Sequence, residues 1–230
     1  MTMTRWNVLI SAVYFQDALP AFARRFAEHG IAVVTPSVNE RLSEAELLPL
    51  VGDIHGVICG DDHFTERVFA AAPKLRIIAK WGTGIDSIDR TAAAERGIFV
   101  KNTPDAFSVP VAETTFAFLL NFARQIHWTD GEMRRGVWEK RRGRTLAEST
   151  LGIVGVGNIG KAVARRAAAF GMRLLGHDPI IPDASFLRAV DMAMADLPTL
   201  LRQSDYVSIH CDLNPTSRHL MNDRTFAQMK

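Results

Sequence analysis

The stretch Thr150-Leu151-Gly152-Ile153-Val154-Gly155-Val156-Gly157-Asn158-Ile159-Gly160-Lys161 constrains the chain more than any other. A short apolar run ends in glycines, and Ile159, Val163, Ala167 and Phe170 then recur at helical spacing. Strand therefore gives way to helix inside the glycine turn. Gly155, Gly157 and Gly160 fill the glycine positions of G-x-G-x-x-G. In that pattern the first glycine permits a tight turn and the second lets backbone approach a pyrophosphate. The third lets the helix pack closely on the sheet. The free N–H groups and the positive dipole end of the helix then face the phosphates. A second apolar run, 172–176, leads to Asp178, about 20 residues beyond the turn, where a ribose diol needs an acceptor. A carboxylate there also repels a 2′-phosphate, which favours NAD over NADP. Gly155 to Lys161 spells the start of a P-loop as well. Ala162 stands where that motif needs Ser or Thr for magnesium, which argues against a triphosphatase.

The rest of the chain alternates strand and helix signals. Runs at 8–10, 31–34, 56–60, 75–79 and 98–100 read as short buried strands. Helical patterns at 17–29, from 43 toward 51, at 65–72 and at 87–96 separate them, with Ser43 and Glu46 in capping-box spacing. Such alternation implies a parallel sheet covered on both faces. This first unit is complete by about Lys101. Segment 108–126 differs, because Val111, Phe116, Phe118, Leu119, Leu120 and Phe122 surround the helix. A helix apolar on every side is expected to be buried on every side, between domains or at a subunit contact. After the glycine turn about three strands are expected, one of them 206–210, and a helix opens near Asn222 with Asp223 by its positive end.

Composition narrows the partners. The 230 residues suit one large or two modest domains, and a net charge of +2 is too small to argue for nucleic acid. The basic run from Arg134 to Arg144 reads as a solvated connector. No apolar stretch reaches membrane-spanning length, and the first residues lack the form of a signal peptide. Cys59 and Cys211 lie far apart in strand-like runs, as reduced thiols of a cytoplasmic protein would.

A second constellation, Lys80-Trp81-Gly82-Thr83-Gly84-Ile85-Asp86-Ser87-Ile88-Asp89, follows the fourth strand. Ligands on open parallel sheets sit beyond the carboxyl ends of strands. Glycines flanking Thr83 let backbone N–H groups converge on a small anion such as a carboxylate. An ordinary turn capped by Asp86 or Ser87 accounts for the same residues equally well.

These residues, together with Asn102-Thr103-Pro104-Asp105, Val111-Ala112-Glu113, 151–160 and 210–230, occur in an order and spacing that resemble the D-2-hydroxyacid dehydrogenase family. The run Asn222-Asp223-Arg224-Thr225-Phe226-Ala227-Gln228-Met229-Lys230 is similar to phosphoglycerate dehydrogenases in particular. The resemblance implies an α/β fold with two domains. A flavodoxin-like parallel-sheet substrate domain would occupy 1–101, and an incomplete Rossmann, doubly wound NAD-binding domain would occupy 102–230. It implies hydride transfer between NAD(H) and a D-2-hydroxy acid or 2-keto acid, in a homodimer, with no metal. The backbone of Gly82, Thr83 and Gly84 would hold the substrate carboxylate, with Thr83 also near the nicotinamide. Gly155, Gly157 and Gly160 would shape the pyrophosphate turn, and Asn158 and Ile159 would offer it N–H groups. Asp178 would take the adenosine ribose. His210, Cys211, Asp212 and Thr216 would line the adenosine and its phosphates, with Asp212 in place of the proline common there. The family's catalytic arginine, glutamate and histidine would fall beyond Lys230, so no catalytic residue is expected here and the 230-residue chain is expected to turn over little. The alternative is a non-catalytic NAD-binding regulator or scaffold on the same fold.

Overall fold

The computed structural model describes residues 6–230. The chain divides between Ala106 and Phe107 into two compact units, so Asn102 to Ala106 stay with the first.

In the first unit, strands β1 (Trp6–Ile10), β2 (Ile31–Val34), β3 (Gly56–Cys59), β4 (Ile77–Lys80) and β5 (Phe99–Lys101) form one parallel sheet in the order β2-β1-β3-β4-β5. That is the flavodoxin-like order, in which the chain reverses its direction of travel across the sheet between β1 and β3. Helix α1 (Val13–Glu28) begins earlier than its apolar stripe suggests and ends with His29 as its C-cap, just before Gly30, whose φ of 66° is left-handed. Phe15, Leu19 and Phe26 of α1 pack with Ile10 and Ala12 on one face of the sheet. The other face buries Leu47, Val57, Phe64 and Ile78 beneath α2 (Glu44–Leu47), α3 (Glu66–Ala70) and α4 (Arg90–Glu95). The Ser43–Glu46 capping box forms as its spacing requires. Asp89, not Asp86 or Ser87, caps α4, its carboxylate accepting from the Ala92 N–H at 2.9 Å.

The second unit opens with α5 (Ser108–Arg124) and α6 (Ile126–Arg134). Strands β6 (Thr150–Val154), β7 (Arg173–His177), β8 (Met192–Met194) and β9 (Tyr206–Ile209) then form a parallel sheet in the order β8-β7-β6-β9. These are the first four positions of the doubly wound dinucleotide order. One more strand is present than the sequence suggests. β8 is three residues long, and Gly176 gives its Met192 and Met194 room, since a Cβ at Gly176 would lie 2.7 Å from the Met194 sulfur. Helix α7 (Asn158–Ala169) packs Val163 and Ala167 on one face with Leu151 and Ile153, and α5 adds Ala112, Phe116 and Leu119 to the same core. Leu200 and Leu201 of α9 (Leu197–Gln203) cover the other face, with α8 (Ala184–Val190) preceding β8 and α10 (Asp223–Phe226) closing the order.

Within this chain α5 is covered on one face only. Ala112, Phe116, Leu119 and Ala123 face the core, whereas Phe118 and Phe122 are 60% and 54% exposed on this chain. Apolar composition alone does not say how many neighbours a helix has.

Candidate functional site

The glycine turn joins β6 to α7 where the second sheet reverses, between β6 and β9. Each glycine meets a different surrounding. Gly155 has φ 89°, and a Cβ on it would lie 2.5 Å from the Cys211 nitrogen and 2.6 Å from the His210 carbonyl carbon. Gly160 is buried, and its Cβ would fall 2.1 Å from the Gly155 oxygen. A Cβ on Gly157 would meet no atom within 4 Å. The first and third glycines thus let backbone pack on backbone, while the second keeps an open face. Gly157 is the N-cap of α7 and offers no side chain to the helix, whose first turn carries no acidic residue. The Lys161 N–H closes the helical ladder on the Gly157 oxygen at 2.9 Å. The amides of Asn158 and Ile159 precede that bond and point along the helix axis, where a diphosphate is well met.

Asp178 follows β7 and reaches back to the turn. One carboxylate oxygen accepts from the Val156 N–H at 2.7 Å and the other from the Ile180 N–H at 2.8 Å. Each oxygen keeps a further lone pair, so the carboxylate is aimed by backbone and can still accept from a diol. Val156 is a site residue the motif did not single out; its amide fixes Asp178 relative to the turn.

The loop after β9 seals the other side. The His210 N–H donates to the Val154 oxygen at 2.7 Å, and its Nε2 lies 2.8 Å from the Ser208 hydroxyl. Burial pushes the His210 imidazole below its ordinary value, which keeps it neutral near pH 7. Burial likewise raises the Cys211 thiol. Asn214 organises the remainder, its side-chain oxygen accepting from the Thr216 N–H at 2.9 Å and the Thr216 hydroxyl at 2.7 Å. Ser217 donates to the Asp212 carbonyl at 2.5 Å. An Asx turn at Asn214-Pro215-Thr216 is the sequence signal that would have found this residue.

In the first unit the loop 82–84 continues β4. The Gly82 N–H donates to the Thr103 hydroxyl at 3.1 Å, and that hydroxyl donates to the Gly82 oxygen at 3.1 Å. Asn102 donates to the Thr83 oxygen at 2.8 Å. Gly82 therefore spends its amide on the brace, whereas the Thr83 and Gly84 amides make no such contact with it. Asn102 and Thr103 brace the loop, a role that their position in a motif does not reveal by itself. Among the described residues no cluster of His, Cys, Asp or Glu could hold a metal ion.

An open glycine face at a helix N-terminus, beside a carboxylate positioned after the second strand, fits a dinucleotide and defines a dinucleotide-binding α/β protein. Residues 116–230 match the family described as D-isomer specific 2-hydroxyacid dehydrogenase, NAD binding domain. The chain belongs to that family, and NAD is its cofactor. It is 37% identical over 195 residues to hydroxypyruvate reductase of Thermotoga maritima, covering 84% of this chain and 62% of that protein. It is 36% identical over 222 residues to human D-3-phosphoglycerate dehydrogenase, covering 95% of this chain and 41% of that protein. It is similar in structure to the TT0316 protein from Thermus thermophilus, with a TM-score of 0.82 and 33% identity over 97% of this chain and 70% of that one. The chain thus spans less than two thirds of the length of these two curated relatives.

Proposed function

We propose that this chain supplies the cofactor-holding and substrate-carboxylate-holding parts of an NAD-dependent oxidoreductase that interconverts a D-2-hydroxy acid and its 2-keto acid. The observation that carries the reading is the open face of Gly157 between the α7 amides and the backbone-aimed carboxylate of Asp178. Bound NAD(H) supplies the hydride-transfer chemistry. The Asn158 and Ile159 amides hold the pyrophosphate and Asp178 holds the adenosine ribose, excluding a 2′-phosphate. The loop His210-Cys211-Asp212, with Thr216, borders the adenosine and its phosphates. The first unit holds the substrate, its carboxylate on the Thr83 and Gly84 amides, with Thr83 also beside the nicotinamide. Proton exchange is assigned to no residue of this chain.

Phe118, Phe122, Ile126 and Trp128 present apolar surface on α5 and α6, and a second copy covering it would give a homodimer. Free Cys59 and Cys211 suit the cytoplasm, and no described helix is long and apolar enough to cross a membrane. NADH and NADPH titrations followed by nicotinamide fluorescence, with NADH oxidation across a panel of 2-keto acids, test the reading. Equal affinity for NADH and NADPH would defeat the role of Asp178. An absence of NADH binding would defeat the function.

A further inference from the structure

The reversal of the first sheet between β1 and β3 opens a crevice at the carboxyl ends of those strands, where ligands of doubly wound sheets settle. A cavity of about 330 Å³ lies there. Tyr14 reaches it from the start of α1, Asn39 and Glu40 from the segment after β2, Asp61 from the end of β3, and Trp81 from the end of β4. Trp81 immediately precedes the loop whose amides are assigned to the substrate carboxylate. Its ring rests on Phe15, 5.4 Å between centroids, and is still 40% exposed.

The charges around this cavity are one-sided. Among the described residues no lysine, arginine or histidine lines it, whereas Glu40 and Asp61 do. The nearby cation is Lys80, with a side chain only 2% exposed, and its charge is already committed. Its Nζ donates to the Gly60 oxygen at 2.6 Å and to the Asp61 carboxylate. Arg41 and His63 line a separate groove, which they share with Asp61, Asp86 and Asp89. A phosphate in the cavity would meet carboxylates and, among the described residues, no free cation. A chain of hydroxyls would meet two carboxylate acceptors, an amide that both donates and accepts, and two aromatic side chains.

We infer that this cavity takes the tail of the 2-keto acid substrate and selects an uncharged, polyhydroxylated tail over a phosphorylated one. Repulsion by Glu40, which pairs with no cation among the described residues whereas Asp61 is held by Lys80, does the selecting, as an unfavourable contact with the wrong ligand often does. The inference rests on the first unit being the substrate-holding one.

The test is ligand-observed NMR titration of the full chain, in the presence of NADH, with three 2-keto acids. Glyoxylate has no tail, 2-ketogluconate has a hydroxylated tail and 3-phosphohydroxypyruvate has a phosphorylated tail. 2-Ketogluconate is expected to bind at least tenfold more tightly than 3-phosphohydroxypyruvate. Glu40→Gln, on an exposed side chain, is expected to narrow that ratio severalfold without changing glyoxylate affinity. Equal or reversed affinities for the two tailed acids, with glyoxylate still binding, overturn the inference and leave the proposed function standing. The same holds if Glu40→Gln leaves the ratio unchanged. Failure of all three acids to bind overturns both.

Discussion

One substitution at two glycines of the same motif separates packing from binding. In Gly160→Ala the new methyl would sit 2.1 Å from the Gly155 oxygen, 3.1 Å from its carbonyl carbon and 3.3 Å from the Ile153 side chain. The obstacle is backbone on the tight turn itself, so relief requires lifting α7 off the sheet. Overpacking of a fixed core costs about 1–3 kcal/mol, and a backbone obstacle places this variant at the upper end. In Gly157→Ala the methyl meets no protein atom. The stability cost is then only that of alanine at an N-cap, about 1 kcal/mol or less relative to glycine. That methyl does stand on the face a diphosphate must approach. Losing one good contact there, about 1.4 kcal/mol, weakens binding roughly tenfold. Urea unfolding followed by circular dichroism reads the first quantity, and NADH fluorescence titration reads the second. Gly160→Ala is expected to lose about 3 kcal/mol of stability. Gly157→Ala is expected to stay close to the unsubstituted chain in stability and to bind NADH at least tenfold more weakly. Should Gly157→Ala bind NADH undiminished, the open face is not the diphosphate site. Should Gly160→Ala be fully stable, the close approach of helix and turn is not what that glycine is for.

Three other perturbations address neighbouring parts of the site. Asp178→Ala is expected to raise the dissociation constant for NADH roughly ten- to a hundredfold, by about 1.5–3 kcal/mol for a lost charged hydrogen bond. It also leaves the Val156 amide without an acceptor on a residue 3% exposed, so a measurable drop in unfolding free energy should accompany the loss; unchanged NADH affinity would remove Asp178 from the site. His210 has a folded pKa depressed by burial, so its neutral form contributes fully above the unfolded value of about 6.5 and stability is lost as pH falls from there through the folded value. His210→Gln should flatten that acidic limb in thermal melts below about pH 6.5, and an identical limb would show that other groups produce it. Phe118→Glu combined with Phe122→Glu should shift sedimentation from dimer to monomer, and a monomer in the unsubstituted chain would refute the dimer.

Much of the second unit was legible because its signals are local. A glycine forced by sterics, a stripe repeating every three to four residues and a carboxylate about 20 residues on are all properties of neighbouring stretches of chain. The alternation of strand and helix likewise announced parallel sheets, since each amphipathic or fully apolar segment has few ways to be covered. Cysteine chemistry followed the same logic, and burial drives the Cys59 thiol up to about 12, as suits a core residue.

Tertiary structure decided what depends on partners distant in sequence. The three residues of β8 are too few to show an alternation, and they become a strand only because β7 offers Leu174 to Gly176 as a pairing edge. Gly82 looked like a free anion donor until Thr103, from beyond β5, took its amide. Which face of α5 is dry was set by the core of its own unit, because hydrophobic residues record a preference for burial without naming what buries them. By itself the sequence determined the kinds of element and the residues that a phosphate turn demands. Packing at long range determined which amides remain open, which carboxylates are held and in what direction they point.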